Sequence, residues 1–498
     1  MKNILFGVPA FLGISMAMAA DPALTIYNQN FAVVRGSISL DLKTGVNEIR
    51  MQDVTRQLEP DSVILRDPSG KSDLRILEQN YRNDPVSQGL LLELNEGKTI
   101  GFEVREPNKP DRIVQGKIVR SGYVRPAQPV RGPYGQVYQP PFVPSEPIIE
   151  VDGTMRFGLP GLPLFPSLGD DTILKPELSW KLNAAEAKKF DAELCYVTGG
   201  MTWDADYNIV ATEKSDLIDL VGWITMENHS GKTFENAKIK LMAGDVNKLQ
   251  PDQGNDYKFA ARAQFETAAP VGVPVTEKAF DEYHLYSLAR STSLYDGETK
   301  QVEFVRASGI QSQKIFVYDG LQVDWNRWRG MGLDGLRRNE EIGTDSNTKI
   351  NVVREFKNTE ANKLGIPLPA GRLRFYQQDE DKQLEFIGEN RIDHTPKDET
   401  IRVVTGNAFD LVGERRRTDF KIDNSNHWVE EAYEIKLRNH KKEQVEIRVV
   451  EHLFRWTNWE ITEKSNPFLK TNAQEMEFRL QLKPDEEKIV TYRVHYSW

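Results

Sequence analysis

Apolar and polar residues alternate one by one along most of this 498-residue chain, a period that is typical of β-strands. Met476, Phe478, Leu480 and Leu482, for example, alternate with charged or polar residues. Because successive side chains of a strand point to opposite faces, each such run places one apolar face against a core. Short polar turns such as 439–442 separate the runs. We therefore predict a mainly β protein with tandem antiparallel β-sandwich or barrel domains and long irregular loops.

Breaks in composition indicate where one β-domain ends and the next begins, and a chain of this length is expected to form about three domains. The predicted divisions are an N-terminal β unit at 21–77, a small β-barrel-like domain at 78–160 with a proline-rich insertion at 126–147, a connector at 161–177, and two halves of a β region at 178–345 and 346–498. Proline has no backbone N–H to donate within a sheet, so the insertion is expected to be an exposed loop.

Short apolar runs within the small domain predict four strands, at 90–94, 100–104, 113–119 and 155–159. The polar segment 95–99 between the first two runs is expected to form the turn that joins them. Such short strands with tight turns are typical of a small barrel.

The N-terminus carries the features of a secretory signal peptide. Lys2 supplies a positive charge, residues 4–18 form an uncharged apolar stretch, and Ala17 and Ala19 offer small residues for cleavage. We therefore expect residues 1–20 to be removed and the protein to be exported to the periplasm or the cell exterior. A retained membrane anchor is the alternative, but the stretch is short for that role. No later window has the roughly 18 apolar residues of a membrane helix, so we predict no integral membrane span in the mature chain.

Charge and cysteine content limit the classes of partner and of covalent crosslink. Lys and Arg total 64 against 74 Asp and Glu, giving a net charge of −10 that is spread along the chain. This acidity argues against nucleic acid as a partner, because nucleic-acid binding needs a basic surface. Cys195 is the single cysteine, so an intramolecular disulfide is impossible and ordinary burial must hold the domains together.

Several spaced segments of the C-terminal region resemble the DUF4139 family. They are 196–203, 203–207, 282–286, 299–302, 368–374, 388–399 and 438–440. The resemblance covers roughly 178–498, and 24–77 is similar to the N-terminal β part that often precedes this domain. It implies a β-rich protein of unknown biochemical role, with relatives described as mucoidy inhibitors. It supplies no catalytic residues for this chain.

His394 is the most interesting candidate for acid–base chemistry. It lies in a turn with Asp393 and Glu399, and a histidine beside a carboxylate can titrate near neutral pH. The alternative is a loop histidine in a turn that Asp393 and Thr395 cap by local backbone hydrogen bonds and that Pro396 bends. One histidine without a placed nucleophile defines no mechanism, so these three residues are weak catalytic candidates.

The chain lacks the spaced motifs of metal and cofactor sites. Its seven histidines form no HExxH motif, and the GxGxxG letters at 330–335 stand in a charged loop without a βαβ pattern. We therefore predict no metal and no cofactor.

A set of strand aromatics and one histidine forms the candidate binding face. These residues are Trp203, Tyr207, Tyr283, His284 and Tyr286. Aromatic residues in strands commonly belong to the core instead, so they are weak candidates.

Export, β-domains and long loops favour a non-catalytic envelope protein that binds or braces an unknown envelope polysaccharide or protein. The first alternative is an envelope hydrolase acting on glycan or peptide, with His394 and a neighbouring carboxylate as its acid–base groups. The second is an outer-membrane β-barrel, because residues 490–498 alternate and end on an aromatic residue as the last strand of such barrels does.

Overall fold

The structure is a computed structural model. It describes residues 15–16, 21–70, 74–105, 110–124, 130–131, 137–138, 145–167, 173–212, 216–244, 246, 248, 275–280, 283–323, 330, 332–425 and 427–498. Most of the predicted signal peptide and most of the proline-rich insertion therefore lie outside the described residues.

The chain is mainly β, as its alternating pattern predicts. In the N-terminal half the strands are β1 (Ser15–Met16), β2 (Ala23–Tyr27), β3 (Phe31–Leu42), β4 (Gly45–Gln52), β5 (Ile64–Arg66), β6 (Arg75–Arg82), β7 (Thr99–Val104), β8 (Arg112–Arg120), β9 (Val130–Arg131), β10 (Val137–Tyr138), β11 (Ile148–Val151), β12 (Thr154–Phe157), β13 (Leu162–Leu164), β14 (Glu177–Ala184), β15 (Lys188–Gly199), β16 (Met201–Thr212), β17 (Leu217–Asn228) and β18 (Phe234–Ala243).

The remaining strands are β19 (Val275–Phe280), β20 (Tyr283–Leu288), β21 (Thr292–Leu294), β22 (Glu298–Asp319), β23 (Lys349–Lys357), β24 (Gly371–Gln378), β25 (Leu384–Ile392), β26 (Thr400–Asp423), β27 (Trp428–Asn439), β28 (Val445–His452), β29 (Trp459–Lys464), β30 (Leu469–Asn472), β31 (Glu475–Leu482) and β32 (Glu487–Ser497). The described helices are α1 (Gln88–Leu94), α2 (Leu333–Arg338) and two 3₁₀ turns at Pro60–Ser62 and Glu360–Asn362. Neither α-helix of the described chain has the length or apolar character to cross a bilayer.

The chain divides into two compact units. The first comprises residues 1–203, 226–268 and 278–300, and the second comprises 204–225, 269–277 and 301–498. Most described pairings are antiparallel, as predicted, but β1·β4, β2·β18, β16·β24 and β22·β28 are parallel. Parallel pairs need long crossover connections, so alternation within single strands could not reveal them.

The first unit contains several sheets. The larger ones run β1-β4-β14-β6 and β20-β18-β2-β3-β15-β5, with β21 on β18, and a smaller sheet runs β12-β11-β8-β7-β13. The pair β3·β15 extends from Phe31 opposite Gly199 to Leu42 opposite Lys188. Ile38 and Leu40 of this pair are fully buried, as their alternation predicts. Cys195 of β15 is half-buried, and burial raises the pKa of its thiol.

The strand prediction for 90–94 is wrong, because this run forms helix α1. The Ser87 side chain accepts a hydrogen bond from the Leu90 N–H (3.2 Å) and caps the helix. Leucine is a strong helix former, and a short apolar run cannot by itself separate a strand from a buried helix. Leu92 packs against Phe102 and Ile149 of the small sheet. The other three predicted runs of this domain are strands β7, β8 and β12.

The second unit is built on a thirteen-stranded sheet. Its main path is β25-β24-β16-β17-β22-β23-β26-β27-β32-β29, while β28 joins β22 to β31, which also pairs with β30. Its core is formed by residues of β22, β23, β26, β27, β28, β31 and β32. Val490, Tyr492, Val494 and Tyr496 of β32 all point into this core. Their alternation is therefore the alternation of a buried strand face.

Two glutamates lie fully buried in this core, each with arginine partners. Glu451 of β28 accepts hydrogen bonds from Arg415 Nε at 3.0 Å and from the Tyr492 hydroxyl. Burial alone would lower the pKa of Arg415, but the Glu451 carboxylate outweighs it and keeps the guanidinium charged. Burial raises the pKa of Tyr492, so this hydroxyl stays a neutral donor. The side chains of Arg415 and Glu451 are 1% and 0% exposed.

The second buried glutamate, Glu431 of β27, binds Arg455 Nη2 at 2.8 Å and Arg417 Nη1 at 3.2 Å. Arg455 also donates to the backbone carbonyls of Leu336, Arg337, Asn339 and Ile342. These contacts hold the end of α2 and the residues that follow it against the core. A charge that leaves water needs such partners, since an unpaired one would be strongly destabilising.

Replacing Glu431 by glutamine should therefore lower the free energy of unfolding by about 3–5 kcal/mol, because Arg455 and Arg417 would stay buried without a counter-ion. The matched control is Glu434→Gln on the same strand, whose partner Arg416 is 71% exposed. This change should cost less than about 1 kcal/mol. Urea denaturation followed by tryptophan fluorescence measures both, and equal losses would contradict the assignment.

Candidate functional site

The first unit contains a cleft of about 960 Å³ at one end of its strands. The segments that form it include the turn after β4, the residues before α1, the residues before β14, the turn before β18 and the turn after β21. Its charged lining residues, which we call the charged cleft, are Asp21, Asp53, Arg56, Lys175, Lys232, Glu235 and Asp296. Loops on a rigid β scaffold are a common place for recognition.

Asp53 is the central acid of the charged cleft. Its carboxylate accepts hydrogen bonds from Lys175 Nζ at 2.7 Å and from Lys232 Nζ at 2.8 Å. Partial burial raises the pKa of Asp53, but the two lysines outweigh this effect and lower it below its ordinary value. Asp53 also has a positive φ of 65°, in the left-handed region that aspartate adopts more readily than most non-glycine residues.

The turn that carries Lys232 is fixed by a buried asparagine. The Asn228 side-chain amide donates to the carbonyls of Lys232 (2.8 Å) and Leu294 (3.2 Å), and its oxygen accepts from the Ser230 N–H at 3.1 Å. Gly231 within the turn has φ +83°, and a Cβ there would lie 2.4 Å from Arg56 Cγ. Glycine is therefore required at this position, both for the backbone and for the close approach of Arg56.

Arg56 is the cation of the charged cleft that remains available to a ligand. Its backbone is fixed, because its N–H donates to the Ser230 carbonyl at 2.7 Å and its own carbonyl accepts from the Tyr81 hydroxyl at 2.8 Å. Its guanidinium is exposed and makes no hydrogen bond or ion pair with another described residue. Lys175 and Lys232, by contrast, are already bound to Asp53.

The second unit has its own cavity, of about 580 Å³. Its described lining, which we call the histidine cavity, is Leu321, Val323, His452, Phe454, Asn472, Gln474 and Glu475. His452 ends β28, Glu475 begins β31 directly opposite it, and Asp319 ends the neighbouring strand β22. Three strand ends thus bring one histidine and two carboxylates together.

Both ring nitrogens of His452 face carboxylates. The Nε2 atom lies 3.0 Å from Asp319 Oδ2, and Nδ1 lies 3.7 Å from Glu475 Oε2. The hydrogen bond to Asp319 raises the pKa of His452 above its ordinary value of 6.5, although partial burial opposes the shift. A histidine held in this way carries a positive charge more readily than a free one does.

The catalytic candidates of the sequence lie in an exposed turn of the second unit. His394 Nδ1 accepts a hydrogen bond from the Ala370 N–H at 3.1 Å, and the Thr395 hydroxyl donates to the Asp393 carbonyl at 2.8 Å. The Glu399 carbonyl accepts from the Asn358 N–H at 2.9 Å. The side chains of Asp393, His394 and Glu399 are exposed and line neither cavity.

Three of the aromatic binding candidates are buried in the cores. Trp203 (1% exposed) donates from Nε1 to the Met242 carbonyl, and Tyr286 (2%) packs against it with ring centroids 6.2 Å apart. Tyr207 is fully buried and donates to the Pro369 carbonyl at 2.7 Å. Tyr283 and His284 are half-buried. None of the five lines either cavity as described.

The residues of both cavities escaped the sequence prediction because they come together from distant segments. Asp53 and Lys232, for example, are 179 positions apart, and no local motif connects them.

In the described part of the chain, no group of three or more His, Cys, Asp or Glu is placed to hold a metal ion. No family model matches the chain, and a search of the curated proteins finds no match.

The raised pKa of His452 predicts how the free energy of unfolding depends on pH. Because its folded-state pKa is raised, the histidine adds stability below pH 6.5, and this contribution is lost as pH rises through the folded-state pKa. His452→Gln should remove that part of the pH dependence, while groups common to both proteins cancel. Urea unfolding of both proteins at about pH 6 and about pH 9 measures the difference. Identical changes in the two proteins would show that the Asp319 contact does not stabilise the fold.

Proposed function

We propose that this chain is an exported envelope protein that binds a polysaccharide in the charged cleft and does not catalyse a reaction. The observation that carries the proposal is an open, polar cleft of about 960 Å³ at the strand ends, with one guanidinium left unpaired by the described residues. The signal-peptide pattern at 1–20 supports export. The resemblance to the DUF4139 family belongs to the same proposal and agrees with it.

The charge of the lining favours a glycan over a protein partner. Three cations and four carboxylates line the charged cleft, so neither a strongly anionic nor a strongly cationic ligand is favoured. Sugar hydroxyls both donate and accept, and they can therefore pair with side chains of either charge. Protein interfaces, in contrast, are centred on apolar and aromatic residues and are poor in lysine and in acids.

Arg56 has the leading role in this proposal. Its guanidinium can donate to ring or hydroxyl oxygens, or to a carboxylate on an acidic sugar. Asp53, Lys175 and Lys232 form a fixed ionic group beside it, and Asn228 is a positioning residue that acts through the Lys232 turn.

Arg56→Ala should weaken polysaccharide binding about tenfold or more, because a hydrogen bond from a charged group contributes roughly 1.5–3 kcal/mol. Affinity electrophoresis in gels that contain purified envelope polysaccharide fractions measures the retardation. The matched control is Arg66→Ala in the same unit, since Arg66 is also exposed but is paired with Glu193 outside the cleft. Retardation by no fraction, or equal retardation of Arg56→Ala and wild type, would refute the proposal. Capture of protein alone would replace the glycan with a protein partner.

Export has its own test. The protein recovered from the periplasm or medium should begin at Ala20 or Asp21, because the small residues before these positions are the cleavage signal. N-terminal sequencing and intact mass determine the start. A chain that keeps residues 1–19 and stays with the membrane fraction would instead support the retained anchor.

A further inference from the structure

The histidine cavity offers two chemically different walls to a ligand. Leu321, Val323 and Phe454 form an apolar wall, and Asn472, Gln474, Glu475 and His452 form a polar one. Its volume of about 580 Å³ is within the range of small-ligand pockets. A ligand that fits both walls needs an apolar stem and a polar or charged end.

The charge of the polar wall selects the sign of that end. Asp319 and Glu475 lie on either side of His452, so the group carries a net charge of −2 when the imidazole is neutral and −1 when it is protonated. The cavity is therefore negative in both states. Two further charges near the cavity are engaged elsewhere, because Glu451 is bound by Arg415 and Lys470 of β30 lies over the Trp459 ring at 4.4 Å.

We propose that the histidine cavity binds a cation carried on an aliphatic stem, the chemistry shared by lysine and arginine side chains and by free alkylamines. The stem packs against Leu321, Val323 and Phe454, and the cationic head lies at the Glu475 carboxylate. The side-chain oxygens of Asn472 and Gln474 supply further acceptors for its N–H groups. Thr471 donates to Glu475 Oε1 at 2.7 Å and so fixes the carboxylate.

His452 links this binding to protons. A protonated imidazole places a positive charge beside Glu475 and opposes a second cation, whereas a neutral imidazole leaves the Glu475 carboxylate to the ligand. Because Asp319 raises the pKa of His452, the change occurs at a pH above the ordinary value of 6.5. The cation therefore binds more tightly as pH rises through the pKa of His452.

Isothermal titration with two probes, N-acetyl-lysine methylamide and n-butylamine, tests the site on the full chain. Affinity should increase about fivefold or more between about pH 5.5 and about pH 9, where both probes are still charged. Glu475→Gln should weaken binding about tenfold, and His452→Gln should bind with an affinity that no longer depends on pH. The matched control, Glu443→Gln, changes an exposed glutamate of the same unit outside the cavity and should leave binding unchanged.

The outcomes of this experiment identify the source of the cation or overturn the proposal. Tighter binding of N-acetyl-lysine methylamide than of n-butylamine would identify a protein chain as the source of the cation, and equal binding would identify a free amine. Absence of saturable binding at about pH 9, or equal competition by the anionic probe N-acetylglutamate, would overturn the proposal. Should Glu475→Gln fail to fold, the pH-independent affinity expected of His452→Gln still tests it.

Discussion

The pairing of buried glutamates with arginines is the constraint on which the second unit depends. Glu431 and Glu451 have no solvent exposure, and arginine nitrogens lie within 3.2 Å of each carboxylate. Transfer of an ion from water costs several kcal/mol, so the core must keep all partners in place together. Since Arg455 also binds two carbonyls of α2 and two that follow this helix, the core and this segment are expected to be lost together on unfolding.

Strand β28, which carries Glu451, places one ionisable side chain in the core and the next one at a cavity. Glu451 points inward in phase with Val445, Ile447 and Val449, while the next residue, His452, points to the other face. A strand turns adjacent side chains to opposite faces, so two neighbouring ionisable residues meet very different surroundings. Glu451 is held by Arg415 within the core, and His452 reaches a cavity at the strand end.

Alternation along the sequence was sufficient to predict the strands, because each strand is a local pattern. Val490, Tyr492, Val494 and Tyr496 show this, as all four are buried on one face of β32. The strand prediction was wrong at Leu90–Leu92, because three adjacent leucines show no alternation and the Ser87 side chain caps a helix there. Glu431 lies in phase with Val429 and Tyr433, so a charged residue on the apolar face was a readable signal of the buried ion pairs.

The candidate sites were less predictable because they depend on contacts between segments far apart in the chain. Asp53, Lys175 and Lys232 stand in three separate turns, and only the pairing of β4 with β14 and the path of β17 into β18 bring them together. His394 was a candidate for acid–base chemistry because acidic residues surround it in the sequence, yet its Nδ1 accepts a backbone hydrogen bond within a turn. Neighbours in sequence within a turn point in different directions, so their proximity along the chain says little about a shared site.

Protonation of His452 has opposite effects on the stability of the fold and on the proposed binding of a cation. The imidazolium stabilises the folded state, so lowering the pH strengthens the contact, but the same positive charge opposes a cationic ligand at Glu475. Linkage requires the two effects to be reciprocal: if protonation weakens binding by a given factor, then binding lowers the pKa of His452 by the matching amount. Near that pKa, ligand binding must therefore release part of a proton. A site in which His452 only supported the fold would bind or release none.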